Sequence, residues 1–210
     1  MNDPTLNDVF KWSIQNSGAA NQTGDLPPAL PNAAGLGALF GMPVKSETQQ
    51  VEENFAIIQD PKSSTDDIVD AFENLELLVS KIDTANNLEA MKKWTVLMEL
   101  LDHERHEMRL GAADCVGTAV ENNPRAQERM LVLGAIPKLV KLATQDENRG
   151  VRKKAIRALS CGSRNYQPNL DATIANLPGE FKPKDKLDAG DMDSVDSLIE
   201  PLRANAQRAT

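Results

Sequence analysis

The chain has 210 residues, 40% of them hydrophobic and only 4% aromatic, and it contains 12 prolines. This composition supports one core-building domain and leaves part of the chain outside that core. Asp and Glu number 31 against 23 Lys and Arg, which gives a formal net charge of −8. Because such a chain repels phosphate backbones, we expect no nucleic-acid partner. The acidic balance also fits a protein that is simply kept soluble by its charge.

The sequence predicts neither export nor membrane insertion. Residues 1–4 (Met-Asn-Asp-Pro) supply no basic region, and no apolar signal region follows them. No run of about 18 apolar residues occurs, so we expect no membrane partner. Cys115 and Cys161 are too few for a disulfide framework, which favours a reducing, cytoplasmic or nuclear compartment. Both lie among small and apolar residues and are predicted to be buried.

Residues 1–45 are predicted to form a flexible, largely disordered arm. Within it, residues 3–17 form a candidate amphipathic helix that is too short to be stable alone. Its apolar face consists of Leu6, Val9, Phe10 and Ile14. Residues 18–46 have a linker composition, interrupted by an apolar island at 33–41. We place the domain boundary near Ser46.

From residue 46 onward, apolar periodicity and capping signals predict a close succession of helices. The predicted helices are 46–60, 64–82, 88–101, 105–122, 124–134, one that starts at 136, 151–164, 168–177 and a last one that starts at 191. Residues 83–87 are expected to break the second of them. Residue Gly134 is expected at a C-cap position, where glycine adopts the left-handed conformation.

Two of the long helices look like copies of one unit. They share a constant offset (152 − 109 = 165 − 122 = 43), and the matching pairs are Arg109/Arg152, Ala112/Ala155, Val116/Leu159 and Asn122/Asn165. A period near 43 is typical of HEAT and armadillo arrays. A fainter copy places Ala71 41 residues before Ala112. The short–short–long order of helices favours armadillo repeats, so the predicted fold class is an all-α, right-handed α-solenoid over residues 46–178.

Residues 179–210 are predicted to contain a linker and a C-terminal helix. The apolar stripe of that helix consists of Val195, Leu198, Ile199 and Leu202. Because repeat arrays need polar terminal caps, we expect this helix to be a lid on the last repeat. Binding to something else remains the alternative.

No arrangement of residues suggests catalysis. His103 and His106 lie one helical turn apart, a spacing that would suit a weak metal site, but no third ligand is near. The glycines within 35–41 lack the spacing of a phosphate loop, and no serine occupies a nucleophile elbow. We therefore expect no enzyme, no metal and no cofactor.

What remains is a binding surface. In a right-handed stack the third helix of each unit lines the concave side, where solenoids usually bind. With Ala112, Val116 and Ala119 in the core, the inward positions are predicted to be Asp114, Thr118, Glu121 and Asn122. The same register predicts Arg157, Cys161, Arg164 and Asn165 in the next unit, and Glu73, Leu77 and Ser80 in the first. For Asn122 and Asn165, helix C-capping explains the residue equally well.

Several segments, in chain order, match the motifs of one family. They include 10–17 (Phe-Lys-Trp-Ser-Ile-Gln-Asn-Ser), 71–78 (Ala-Phe-Glu-Asn-Leu-Glu-Leu-Leu), 83–87 (Asp-Thr-Ala-Asn-Asn) followed by Trp94, 117–123, 154–160 and 164–166. Together they resemble the fungal Fes-one and animal HspBP-one group. These are armadillo-type nucleotide exchange factors of the seventy-kilodalton heat-shock chaperones, and the resemblance covers residues 6 to about 178.

The resemblance implies a co-chaperone that acts without catalysis, as a monomer in the cytoplasm. Its partner would be the ATPase domain of a cytosolic chaperone of this class, whose nucleotide cleft it would open so that ADP leaves. The residues implied to face the chaperone are Asp83, Ala85, Asn86, Asn87, Thr118, Glu121, Asn122, Arg157, Arg164 and Asn165. Longer family members continue with further repeats after the position of Tyr166, where this chain has a linker and one helix.

Two further interpretations accompany this one. The N-terminal residues Leu6, Phe10, Trp12 and Ile14, with the island residues 36–40, are predicted to compete with client polypeptide for the chaperone's peptide groove. The alternative is that the arm simply packs on the first repeat.

The competing function is a generic armadillo scaffold or adaptor. Cargo-carrying armadillo proteins use Trp and Asn ladders on their third helices, and Trp94 lies outside those helices.

Overall fold

The computed structural model describes residues 45–207, and all regular structure in that range is helical. The helices are α1 (Glu47–Gln59), α2 (Thr65–Val79), α3 (Ile82–Asn87), α4 (Lys93–Leu100), α5 (His106–Val120), α6 (Pro124–Val132), α7 (Ala135–Gln145), α8 (Arg149–Ser163), α9 (Gln167–Asn176) and α10 (Met192–Gln207), with a 3₁₀ turn at Gly179–Phe181. The all-α class is confirmed. None of these helices is both long and apolar enough to cross a membrane. The predicted helix at 3–17 and the rest of the arm lie outside the described residues.

Three helices, α2, α6 and α8, begin at short polar residues that cap free backbone N–H groups. Ser64 caps α2 in a complete capping box, in which its hydroxyl accepts from the backbone N–H of Asp67. Asn123 caps α6 ahead of Pro124, and Asn148 caps α8. Gly134 adopts φ +70° between α6 and α7, as its predicted C-cap role requires.

The prediction for residues 83–87 is wrong, because this segment forms a helix itself. The second helix ends at Val79, and α3 begins at Ile82, whose side chain is 56% exposed instead of lying in the core. The following helix begins at Lys93 and not at Leu88, since Lys92 adopts a left-handed φ of 57°. The apolar residues Trp94, Leu97, Leu100 and Leu101, which fall within the predicted range 88–101, are all buried.

The 43-residue period is confirmed by the first and last residues of the long helices. Helices α5 and α8 begin and end 43 residues apart (149 − 106 = 163 − 120 = 43), and α2 precedes α5 by 41 at both ends. The trios α3–α4–α5 and α6–α7–α8 are both short–short–long. The main helix contacts run from α2 to α5, from α5 to α8, and from α8 to α10. The long helices therefore stack in sequence order; the right-handed sense of that stack stays a prediction.

Small residues allow the long helices to approach one another closely. A Cβ on Gly111 of α5 would lie 2.2 Å from Cγ of Phe72 on α2. A Cβ on Gly117 would lie 3.2 Å from Cα of Ala158 on α8. The matched pairs Ala112/Ala155 and Val116/Leu159 are fully buried in the same core. Close packing of this kind makes each interface sensitive to a single added methyl group.

The matched arginines of α5 and α8 make the same local contact, which we call the arginine clamp. Arg109 Nη1 donates to the carbonyls of His103 and Glu104, six and five residues earlier. Arg152 Nη1 donates to the carbonyls of Asp146 and Glu147, again six and five residues earlier. Each guanidinium thus ties the loop before its helix to the first turns of that helix.

The first clamp also joins one unit to the next. Arg109 Nε and Nη2 donate to the Asp146 carboxylate at 2.7 and 3.1 Å, and the two side chains are 11% and 4% exposed. Asp146 raises the pKa of the Arg109 guanidinium by accepting these bonds. The same carboxylate accepts the backbone N–H of Asn148. A buried, bidentate pair of this type holds a fixed geometry.

The C-terminal helix packs on the last repeat. Helix α10 contacts α8 and α7, and its predicted stripe residues Val195, Leu198, Ile199 and Leu202 are at most 1% exposed. Arg152 Nη2 donates to the carbonyl of Ala206 in α10. These contacts agree with the interpretation of this helix as a lid, which stays a prediction.

Removing the buried guanidinium is expected to be far more costly than removing an exposed one. Arg109→Ala should lower the free energy of unfolding by about 3 kcal/mol, because Asp146 is left as a buried, unpaired carboxylate. Arg125→Ala is the control: that side chain is 62% exposed and lies 3.4 Å from Glu89, so the loss should stay below about 1 kcal/mol. Urea unfolding followed by circular dichroism measures both, and equal losses would contradict the role of the clamp.

Candidate functional site

A row of polar side chains crosses the three long helices, and we call the surface that it follows the long-helix face. Thr118 of α5 lies at its centre. Its hydroxyl donates to Glu76 Oε1 of α2 at 2.7 Å and accepts from Arg157 Nη1 of α8 at 2.8 Å. Because all three side chains touch in sequence, they lie on one face of the stack. Thr118 itself is only 8% exposed, so it positions its neighbours.

Two carboxylates, one within α5 and one just after its last residue, hold the cations of α8. Asp114 lies 3.2 Å from Arg157 Nη1 and 2.5 Å from Lys154 Nζ, and Glu121 lies 3.0 Å from Arg157 Nη2. Arg157 is therefore fixed by three acceptors while it remains 37% exposed. A fork-shaped cation held in this way presents a preorganised surface instead of a mobile chain.

The matched asparagines are explained by local backbone conformation. Asn122 and Asn165 have φ values of 52° and 58°, and each lies just after the end of a long helix. Asparagine tolerates this left-handed conformation better than most residues do, which favours the capping interpretation. Asn165 also donates its backbone N–H to the carbonyl of Ala189 at 2.8 Å. Both residues are exposed, so their amides are still accessible to a partner.

Arg164 is engaged by the C-terminal helix. Its guanidinium forms an ion pair with Asp196 of α10 and lies 2.9 Å from Met192 Sδ. The side chain is 29% exposed. Of the residues predicted on the long-helix face, this one is therefore already partly covered within the chain.

The predicted residues of α3 divide into exposed and buried positions. Asp83 is exposed, whereas Ala85 is 1% exposed and belongs to the core. A side chain buried to this extent cannot face a partner, and Ala85 is corrected here to a packing residue of α3. Asn86 and Asn87 are half-buried. They line a polar cleft of about 490 Å³ together with Thr48 and Arg125.

One amide in this cleft has an unused acceptor. The buried Oδ1 of Asn86 accepts no hydrogen bond from residues 45–207. Asn87 Nδ2, by contrast, donates to Thr48 Oγ1 at 3.4 Å. A buried acceptor without a donor is costly, and water is the usual group that satisfies it.

The first helix is tied to α3 by one carboxylate. Glu47 accepts hydrogen bonds from Lys81 Nζ and Thr84 Oγ1, both at 2.5 Å. The bond from Lys81, and then that from Thr84, holds the pKa of the Glu47 carboxyl below its ordinary value. This residue thereby fixes the edge of the cleft that carries Asp83 and Asn86.

The cysteines and histidines take ordinary structural positions. Cys115 is fully buried as predicted, whereas Cys161 is only half-buried, and burial raises the pKa of both thiols. His103 Nδ1 accepts the backbone N–H of Arg105 at 3.1 Å. Within residues 45–207, no group of three His, Cys, Asp or Glu side chains is arranged to hold a metal ion.

Four participants in these contacts escaped the sequence-based prediction: Glu47, Glu76, Lys154 and Asp196. Glu76 could have been found, since it precedes Thr118 by 42 residues, close to the repeat period (118 − 76 = 42). Lys154 likewise lies one turn before Arg157 on the same helix face. Nothing in the sequence pairs Glu47 with Lys81 or Arg164 with Asp196, because those contacts depend on packing.

Acid should weaken the contribution of Glu47 to stability. A carboxyl whose folded pKa lies below its unfolded pKa stabilises the fold above the unfolded value, and this contribution is lost as pH falls through the folded value. We expect the difference in unfolding free energy between wild type and Glu47→Gln to be constant above about pH 5 and to shrink below it. Urea unfolding from pH 7 to pH 3.5 measures the difference, with exposed Glu99→Gln on α4 as control. A difference that grows on acidification would contradict the assignment.

Two family models together match residues 6–172 of the chain. A family model described as Nucleotide exchange factor Fes1 matches residues 6–88. A second, described as the SIL1/FES1/HPBP1 C-terminal domain, matches residues 84–172. The two matches meet within α3, and the second ends inside α9, so α10 lies beyond both.

Two curated relatives match this chain over nearly its whole length, and a third matches part of its own length. The chain is 42% identical to "Hsp70 nucleotide exchange factor FES1" of Gibberella zeae, with 100% of both chains covered. It is 37% identical to "Hsp70 nucleotide exchange factor fes-1" of Neurospora crassa, over 99% of this chain and 100% of the relative. A Scheffersomyces stipitis relative of the same name is 34% identical over 81% of this chain and 60% of its own length. The chain belongs to the Fes1 family of nucleotide exchange factors.

Proposed function

We propose that this protein is a co-chaperone that binds the ATPase domain of an Hsp70 chaperone and accelerates the release of ADP. Membership of the Fes1 family and the names of the full-length relatives support this function. The observation that carries the proposal in the molecule itself is the row Glu76–Thr118–Arg157, which gives three stacked helices one fixed polar surface. A surface of this kind suits the recognition of a folded domain.

The mechanism requires only differential affinity. If the long-helix face binds the opened form of the nucleotide cleft better than the closed form, binding shifts the chaperone toward the opened form and ADP leaves. By linkage, bound ADP must weaken the binding of this protein by the same factor. Rigid presentation of Arg157 by Asp114 and Glu121 supports this mechanism, because a preorganised surface loses little entropy on binding.

The contact residues proposed here are those with accessible polar groups. On the long-helix face they are Glu121, Asn122, Arg157 and Asn165, and on α3 they are Asp83, Asn86 and Asn87. Thr118 and Ala85 act by positioning these neighbours, since both are buried. Arg164 contributes to binding if the ion pair with Asp196 opens or is shared.

The remaining properties follow from the same proposal. The protein acts as a monomer in the cytoplasm, makes and breaks no bond, and needs no cofactor. Its free thiols, Cys115 and Cys161, agree with a reducing compartment. A nucleotide exchange factor acts by binding its partner and makes or breaks no covalent bond, so no catalytic group is required of this chain.

Reversing one charge on the long-helix face should weaken the effect on ADP release. Glu121→Lys places a cation beside Arg157, and we expect about tenfold weaker binding to the chaperone. Glu128→Lys, an exposed change on α6, is the matched control and should behave as wild type. Release of a fluorescent ADP analogue from a cytosolic Hsp70 is followed by stopped flow over a range of protein concentrations. No acceleration by saturating wild type would remove the proposed function.

For the arm, we propose that Leu6, Phe10, Trp12 and Ile14 compete with client for the chaperone's peptide groove; these residues lie outside the described range. Deleting residues 1–40 should leave ADP release unchanged and slow the release of a labelled client peptide. Measuring ADP release and client-peptide release in parallel on the same chaperone sample separates the two effects. Unchanged client release by the deletion variant would remove this role.

A further inference from the structure

An apolar notch opens between α2 and α5, next to the polar row. Its volume is about 360 Å³, and its apolar lining comes mainly from Val69 and Phe72 of α2 and Leu110 of α5. Val69 is 39% exposed, and Leu110 is half-buried. Its rim includes Glu73 and Asp114, two of the inward positions predicted from the sequence, whereas the apolar recess itself is not part of that prediction.

The notch exists because α5 has no side chain at residue 111. The ring of Phe72 occupies that space, with Cγ 2.2 Å from the position of a Cβ on Gly111. The ring is 5% exposed and forms a rigid floor, while Val69 and Leu110 form the walls. A preformed apolar recess of this size accepts one side chain of a partner.

The rim of the notch is predominantly acidic. Glu73, Glu107 and Asp114 lie around it, together with His106 and Lys154. Lys154 is already paired with Asp114 at 2.5 Å, and His106 Nδ1 lies 3.6 Å from Glu107. Glu73 is exposed and forms no ion pair within residues 45–207. The rim therefore has a carboxylate available for a cation next to the apolar recess.

The notch is continuous with the proposed chaperone-binding surface. Asp114 and Lys154 belong to its rim, and Asp114 also holds Arg157 of the polar row at 3.2 Å. Glu73 precedes Glu76 by three residues and so lies on the same face of α2. A folded domain that lies on the polar row would extend over the notch.

We propose that the notch binds one apolar side chain of the Hsp70 ATPase domain, adjacent to a Lys or Arg of that domain that pairs with Glu73. This inference rests on the proposed function and names the chemistry of its partner. The apolar residue supplies buried area, and the charge pair fixes orientation. The notch thus extends the interface toward the N-terminal halves of α2 and α5.

A matched pair of variants tests the apolar part. Val69→Glu places a carboxylate in the notch, where burial and the neighbouring acids oppose it, and should weaken chaperone binding at least about tenfold. Ile57→Glu is the control, since Ile57 is also a β-branched residue with 39% exposure but lies on α1. Val69→Ala shortens the side chain without introducing a charge, and we expect its affinity for the chaperone to fall about threefold. Isothermal titration calorimetry of the full chain with full-length cytosolic Hsp70 gives the affinities, after circular dichroism has shown equal folding.

A second pair tests the charged part. Glu73→Lys should weaken binding at low salt by about fivefold, with the loss diminishing at high salt because the pair is exposed. Glu99→Lys, an exposed position on α4, is the control and should bind as wild type does. Light scattering on each variant measures self-association in parallel.

The outcomes are separable. If wild type does not bind the chaperone, the proposed function fails and the notch has no such partner. If wild type binds and Val69→Glu binds as tightly as Ile57→Glu, the notch proposal alone is wrong. If Val69→Glu changes only self-association, the occupant is a second copy of this chain and the proposal is likewise wrong. Selective loss in both Val69 variants and in Glu73→Lys supports it.

Discussion

The arrangement of the second and third units depends on one largely buried arginine in each of their long helices, α5 and α8. Arg109 and Arg152 each bond to carbonyls six and five residues earlier, so each fixes the angle at which a long helix leaves its preceding loop. Arg109 also pairs with Asp146, which lies in the loop before the next long helix. The same side chain therefore sets the geometry within one unit and the distance to the next. The small residues Gly111 and Gly117 can then bring the stacked helices into close contact.

The polar row is a consequence of that stacking. Glu76, Thr118 and Arg157 belong to three different helices and meet only because those helices lie at a fixed spacing and rotation. Polar groups held in this way serve binding better than stability, since partly exposed ion pairs stabilise a fold only slightly. The arginine clamps, which are largely buried, therefore fix the positions of the helices. The half-exposed charge pairs of the polar row are accessible to a binding partner.

The last long helix, α8, is covered by the C-terminal helix α10. Where a further unit would follow, α10 packs on α7 and α8, and the carbonyl of Ala206 accepts from Arg152. Asp196 of the same helix holds Arg164. Helix α10 therefore supplies one acceptor to the clamp of the last unit and also covers one end of the long-helix face. The Gibberella zeae relative is matched over its whole length, whereas the Scheffersomyces stipitis relative extends beyond the matched region.

The sequence alone specifies the helical class, the 43-residue period, several capped helix starts and most core positions, because periodicity, capping and burial are encoded within a few residues. Together with the family motifs, it also indicated the function. It failed for residues 83–87, where two asparagines suggested a break but Thr84 and Ala85 are buried, so that packing stabilises a short helix. Packing between helices accounts for the burial of Ala85, for the ion pair of Arg164 with Asp196, and for the notch beside Phe72 and Gly111. Each of these depends on residues from separate helices, whose spacing and rotation no local pattern specifies.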